Sequence, residues 1–165
     1  MMKMKPLEIK EALKSLNSSL RHSSLIIPIM ALQLDVITPE RRLLSEQADS
    51  VNVPGAGGEL GILPGHTPLI SQLQTGVLSY TQGQTTRRLL VSGGFVEINN
   101  DRVSVLADLA EFPEEVDAAR ARTERDEAER RLGSFTGSPE ELADLSAQFD
   151  RAGTRLQLAS SEAPR

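Results

Sequence analysis

Gly55, Gly57, Gly58 and Gly61 crowd the segment Pro54-Gly55-Ala56-Gly57-Gly58-Glu59-Leu60-Gly61-Ile62-Leu63-Pro64-Gly65-His66, and a glycine-rich turn can cradle phosphate with its backbone N–H groups. A P-loop also needs Gly-Lys followed by Ser or Thr, which sets an ammonium against the phosphates. This chain has no lysine after Lys14, so Walker-type hydrolysis is excluded. The dinucleotide fingerprint fails as well, because no helix-period segment with an acidic residue at the required offset follows. The glycines and prolines are read as bends that bring Glu59 and His66 to a surface. His66 is the only imidazole outside the first thirty residues, and no Gly-x-Ser-x-Gly elbow, His-rich metal cluster or thiol accompanies it. Glu114 and Glu115 could form a carboxylate pair for acid–base work, but they follow Pro113 at the start of a helical pattern, where the helix dipole accounts for them. Arg151 and Arg155 lie one helical turn apart and so share a face. Catalysis is therefore not expected of this chain.

Two kinds of element must carry these residues. Leu32, Leu34 and Val36 alternate with Gln33 and Asp35, the period of a half-buried strand, and Thr38-Pro39 stops it. Short runs at 50–53, 76–80, 87–91, 95–99 and 102–106 follow, each bounded by Gly, Pro, Asn or polar residues. This spacing predicts an antiparallel β-sandwich over 31–112, with a polar hairpin loop at 80–85 and a turn at 99–101. Beyond it, Pro113, the acidic residues 114, 115 and 117, and Arg130-Arg131 before Gly133 predict a helix over 114–132. Ser138-Pro139-Glu140-Glu141 has the form of a capping box and opens a second helix, with Leu142, Leu145, Phe149, Ala152 and Leu156 on one stripe. The first helix answers only with Ala118, Ala121, Ala128 and Leu132, and Arg125 interrupts it. Glu127 and Arg131 are expected to pair within it, and Gly153 is expected to weaken the second helix. The fold class is thus α+β: a sandwich, then a two-helix antiparallel hairpin over 113–158 that is marginal alone, then a disordered tail over 159–165. Such a hairpin either leans on the sandwich or opens to meet a partner.

Composition narrows the function further. The chain has no cysteine, which removes disulfides and thiol chemistry, and its few aromatics suit an aliphatic core better than a large ligand cavity. The net charge of −5 gives no basic face for nucleic acid. No run reaches the roughly 18 apolar residues of a membrane span, so at most a peripheral membrane role is expected. All four lysines fall in the first fourteen residues, and a clean strand pattern begins only after Met30. Residues 1–30 are read as a dispensable upstream extension in preference to a targeting segment, for which Glu8 and Glu11 are unsuited.

The stretch from Gly58 to Leu69, together with Val91-Ser92-Gly93-Gly94-Phe95-Val96-Glu97-Ile98, closely resembles two signature stretches of the epsilon subunit of bacterial F-type ATP synthases, called delta in mitochondria. The resemblance runs from about Ala31 to Leu156. It implies a central-stalk subunit whose sandwich contacts the gamma subunit and the c-ring below the alpha/beta catalytic head, at the cytoplasmic face of the bacterial inner membrane. Gly58, Glu59 and Leu60 would face the ring, with His66 near the gamma or ring interface. It further implies that the hairpin inhibits ATP hydrolysis. Val116-Asp117-Ala118-Ala119-Arg120-Ala121 is similar to the family's nucleotide-binding signature. By that similarity Glu111, Val116, Asp117 and Arg120 would contact adenosine, and Arg151 and Arg155 would approach phosphates. Where one family pattern has a further arginine, this chain has Glu127. No cofactor is required on this reading, and ATP enters as a weak regulatory ligand. A generic adaptor, a sandwich with a coiled-coil hairpin, is the rival reading, and only the signature stretches discriminate against it.

Overall fold

Leu32, Leu34 and Val36 are fully buried on one side of the first strand, as their alternation requires, in a computed structural model that describes residues 31–161. The expected leader and residues 162–165 of the expected tail lie outside the described residues. The strands are β1 (Leu32–Ile37), β2 (Arg42–Ala48), β3 (Ser50–Gly55), β4 (Gly58–Ile62), β5 (Leu69–Gln72), β6 (Gly76–Gln82), β7 (Thr85–Ser92), β8 (Phe95–Asn99), β9 (Arg102–Leu106) and β10 (Leu109–Glu111). They form two five-stranded sheets, ordered β2-β1-β9-β8-β5 and β10-β7-β6-β3-β4. The sheets enclose a core of Leu32, Leu34, Val51, Val53, Leu78, Leu89, Val91, Val96, Ile98, Val103 and Val105, with Tyr80 as its one aromatic side chain. Burying each such side chain contributes about 1.5–3 kcal/mol, so this half carries its own stability. Tyr80 also ties the sheets together, its hydroxyl donating to Glu46 of β2 at 3.2 Å.

Four strands depart from the sequence reading. β2, β4, β5 and β10 were not expected: Arg42–Ala48 is rich in residues indifferent to strands, and β4 was read as a glycine-rich loop. They are strands because paired neighbours capture them, β2 on the preceding β1 and β4 on the preceding β3. Pairing is antiparallel throughout except between β1 and β9, which run parallel. A parallel neighbour needs a long crossover, and here the chain lays down four of the five strands of the second sheet, β3, β4, β6 and β7, between the two. The loop expected at 80–85 is shorter, since β6 and β7 extend to pair Gln82 with Thr85 around Gly83.

The helical half is also corrected. The helix expected from Glu114 starts instead at Ala118, because residues 113–115 close a separate 3-10 turn in which the Glu115 carboxylate accepts the Phe112 N–H at 2.9 Å. Val116 and Asp117 are extended, and Asp117 caps the helix proper, α1 (Ala118–Gly133), by accepting the Arg120 N–H at 3.0 Å. The capping box at Ser138 forms as expected, with Glu141 N–H donating to Ser138 Oγ and Ser138 N–H to Glu141 Oε2. It opens α2 (Pro139–Ser161), which runs unbroken through Gly153 and three residues past the expected end of the hairpin at 158. The buried seam is Ala121 and Ala128 on α1 against Leu145, Ala152 and Leu158 on α2, whereas Leu142 of the expected stripe is exposed. Among the described residues the ion pairs at a spacing of four are Arg120–Glu124 and Arg125–Glu129, in place of the expected Glu127–Arg131.

The hairpin leans on the second sheet. α2 packs on β6, β7 and the 3-10 turn, over Leu90, which is fully buried although it alternates out of the sandwich core between Leu89 and Val91.

Two glycines make this architecture testable. Gly94, in the turn from β7 to β8, has φ of +86°, and a Cβ there would lie 1.9 Å from the Leu106 carbonyl oxygen. Gly94→Ala is expected to cost about 2 kcal/mol or more, read as a lower Tm in thermal unfolding; an unchanged Tm would contradict the tight turn. A Cβ on Gly153 meets nothing within 4 Å, so Gly153→Ala is expected to stabilise α2 by up to about 1 kcal/mol, seen as increased helicity and slower hydrogen exchange in residues 139–161.

Candidate functional site

Five of the six residues assigned to a nucleotide by resemblance converge. Glu111 ends β10, Val116 and Asp117 form the extended link, Arg120 opens α1, and Arg155 reaches in from α2; together with Glu115, Ala121 and Glu124 they line one cleft of about 230 Å³. The geometry inside it is specific. Glu111 lies opposite Leu90 in the β10–β7 register, so both point out of the core towards the hairpin. The Arg155 guanidinium grips the Glu111 carboxylate with two hydrogen bonds, Nε to Oε2 at 2.8 Å and Nη2 to Oε1 at 2.7 Å. Its Nη1 donates to Glu124 Oε2 at 3.1 Å. Arg120 Nε is held by the other Glu124 oxygen at 2.7 Å. The hydrogen bonds to Glu111 raise the Arg155 pKa above its ordinary value, against the opposing effect of burial.

The 3-10 turn beside the cleft is anchored separately. Glu115 accepts from the Phe112 N–H and pairs with Arg41 in the turn before β2. The Phe112 N–H first, and Arg41 after it, lower the Glu115 pKa. A carboxylate depressed in this way stabilises the fold above its unfolded pKa and loses that contribution as pH falls through its folded pKa. Sequence reasoning assigned Glu115 to the helix dipole and gave Arg41 and Glu124 no role. Only the spacing of four between Arg120 and Glu124 signalled any of this.

Arg151, the sixth residue, goes elsewhere. It lines a wider groove of about 700 Å³ between α2 and the sandwich, with Thr75, Ser92, Asp108 and Asp150 among its neighbours. Sharing a helix face with Arg155 does not bring the two guanidiniums to one ligand, because Arg151 lines a groove with residues 73–75, 92–93 and 108–109, whereas Arg155 reaches Glu111 and Glu124. The cleft itself holds four carboxylates, Glu111, Glu115, Asp117 and Glu124, against two arginines. Its volume also falls below the roughly 300 Å³ at which small-molecule pockets begin.

The second set of expected residues is spread along the sandwich. Gly58 and Glu59 begin β4 and are exposed, whereas Leu60 is half-buried against the core. The β3–β4 turn is tied to β5 by the Ala56 N–H donating to the Gln72 carbonyl at 2.8 Å. At the far end of β4, the Gly65 N–H donates to Asp101 Oδ1 at 2.6 Å, and the His66 ring sits 2.8 Å from the Thr67 carbonyl through Nδ1. Gln72 pairs with Phe95 at the start of β8, and Asp101 follows its end. Glu59 and His66 therefore stand towards opposite ends of the sandwich and do not form one site. The sequence reading also missed a surface. Ile70, Phe95 and Leu106 are 70%, 54% and 50% exposed on the outer face of the first sheet. Phe95 lies directly across from Leu106, and Ile70 lies across from Glu97 on the adjacent strand.

The comparisons with known proteins agree with this architecture. The description "ATP synthase, Delta/Epsilon chain, beta-sandwich domain" matches residues 31–113, and "ATP synthase, Delta/Epsilon chain, long alpha-helix domain" matches residues 114–160. The ATP synthase epsilon chain 2 of Syntrophotalea carbinolica is 41% identical over 128 residues, spanning 78% of this chain and 93% of that protein. The ATP synthase epsilon chain of Syntrophobacter fumaroxidans is 42% identical over 128 residues, 78% of this chain and 95% of its own. Among solved structures, a chain of the Euglena gracilis mitochondrial ATP synthase, in an OSCP/F1/c-ring assembly, shares the fold with a TM-score of 0.68 at 22% identity, over 79% of this chain and 82% of that one. With both halves matched in order and relatives covered almost end to end, the chain belongs to the delta/epsilon subunit family of F-type ATP synthases.

Proposed function

We propose that this subunit is a non-catalytic part of the rotor: its sandwich joins the gamma subunit to the c-ring, so that rotation of the ring reaches the alpha/beta catalytic head. The observation that carries this reading is the apolar patch of Ile70, Phe95 and Leu106. It lies on the first sheet, while the hairpin packs on the second, so the patch stays available whatever the hairpin does. A partner covering it gains about 25 cal/mol per Å² of apolar surface removed from water, which favours a protein with an apolar face such as gamma. The β3–β4 turn, bonded to Gln72 beside Phe95, offers the Glu59 carboxylate at the same end for the polar loops of the ring.

Through these partners the subunit works peripherally, at the cytoplasmic face of a bacterial inner membrane. Among the described residues no helix is long and apolar enough to cross a membrane. When extended, the hairpin obstructs rotation in the hydrolysis direction. What supports this is its thin attachment: only three alanines and two leucines are buried in the two helices, and the link to the sandwich at Val116 and Asp117 is extended. ATP enters only as a weak regulatory ligand, since the arginine best placed for phosphate already holds two carboxylates.

Titration of the full chain with purified gamma subunit tests the patch. Phe95→Glu is expected to weaken binding on the order of ten-fold or more while leaving the thermal unfolding of the sandwich intact. Glu59→Arg is expected to reduce retention on the c-ring and to spare gamma. A folded Phe95→Glu chain that binds gamma as tightly as the unaltered protein would overturn the assignment. Separately, deleting residues 114–165 is expected to raise ATP hydrolysis by the assembled complex. Unchanged hydrolysis would remove the inhibitory role and leave the coupling role standing.

A further inference from the structure

The Arg155 site is best understood from what a docked hairpin needs. α2 is the helix that packs on the sheet, and α1 is carried by it. The buried seam between the two helices is short and rich in alanine, so apolar contact alone holds the pair weakly. Arg155 is the one described residue whose side chain ties three separate parts together: the end of β10 through Glu111, α1 through Glu124, and its own helix α2. All three side chains are largely withdrawn from solvent, at 21%, 22% and 36% exposure, which strengthens such bonds relative to surface ion pairs. The 3-10 turn stays fixed to the sandwich by Arg41 and Glu115. Breaking the Arg155 tie therefore leaves Val116 and Asp117 as the place where the hairpin swings.

We propose that Arg155, Glu111 and Glu124 form a charge latch that closes the hairpin onto the sandwich without nucleotide. A guanidinium presents five N–H donors in a planar fork, and here three of the five bond carboxylates, with each nitrogen engaged once. A polyphosphate approaching Arg155 would have to compete with Glu111 and Glu124 for the fork, and it would meet the Glu111 carboxylate, whose described partner is Arg155, beside Glu115 and Asp117. Nucleotide and latch are thus alternatives in this chain, and the docked form is the latched one. This inference deepens the regulatory reading of the hairpin, and it concerns the isolated subunit alone.

The chain has no cysteine, so a pyrene pair can be placed cleanly by Arg88→Cys on β7 and Gln157→Cys on α2. Both are exposed and line one shallow groove outside the latch. Excimer emission then reports docking in the full chain. Arg155→Ala is expected to lower the docked-to-undocked ratio about ten-fold, the size of losing a charge-assisted hydrogen-bond pair. The swap of Glu111→Arg with Arg155→Glu is expected to restore much of it, and millimolar ATP is expected not to raise it in the unsubstituted latch. Circular dichroism of the sandwich confirms that each variant is folded. Full excimer emission from folded Arg155→Ala would overturn the latch. An ATP-induced rise in docking would show that nucleotide closes the hairpin, and would overturn it equally. Because no hydrolysis is measured, either failure is distinct from a failure of the inhibitory role.

Discussion

Two sheets with one apolar face each can be stable only if those faces cover one another, and in this subunit the cover is made almost wholly of Val, Leu and Ile. With hardly any aromatic side chain to fill space, the core depends on strict alternation along every strand, because a slip of one residue would turn aliphatic side chains to water. The rest follows from that alternation. Residues between the core positions must point outward, on either side of the sandwich, and the chain uses the two outer faces differently.

On the second sheet the outward residues Leu90 and Glu111 lie under the hairpin. On the first sheet Ile70, Phe95 and Leu106 stay open. The hairpin packs on the other sheet, so the gamma contact and the hairpin movement proposed above do not compete for one face. The sandwich is also the stronger half. Its buried aliphatic side chains far outnumber those of the hairpin, whose seam is largely alanine, and this places the weakest joint of the molecule at the link between the two.

At that joint, electrostatics takes over from apolar burial. The hairpin replaces missing hydrophobic area with directional, partly shielded bonds from Arg155. Such bonds hold one geometry well and release cleanly when it is lost, which fits the hairpin movement proposed above. The same arginine that the family resemblance assigns to phosphate is thereby engaged within the chain. Chemically similar anions, carboxylate and phosphate, ask for the same fork of donors.

Local pattern settled much of this protein in advance. The alternation at Leu32, Leu34 and Val36, the capping box at Ser138 and Glu141, and the polar turns around Gly83 and Asn100 are short-range devices, and each forms where its residues predict. The glycine signature and the stretch around Phe95 carried the family. What only the tertiary structure decided depends on which strands pair and how the layers pack. β2 and β4 are strands because their hairpin neighbours β1 and β3 capture them, and β9 runs parallel to β1 after a crossover through the other sheet. The start of α1 moved to Ala118 because Glu115 and Asp117 turn their carboxylates back onto the backbone. Arg151 and Arg155 share a helical face, yet only Arg155 meets Glu111, forty-four residues away. Sequence spacing sets which residues share a face of one element; which charges meet across elements is set by how those elements pack.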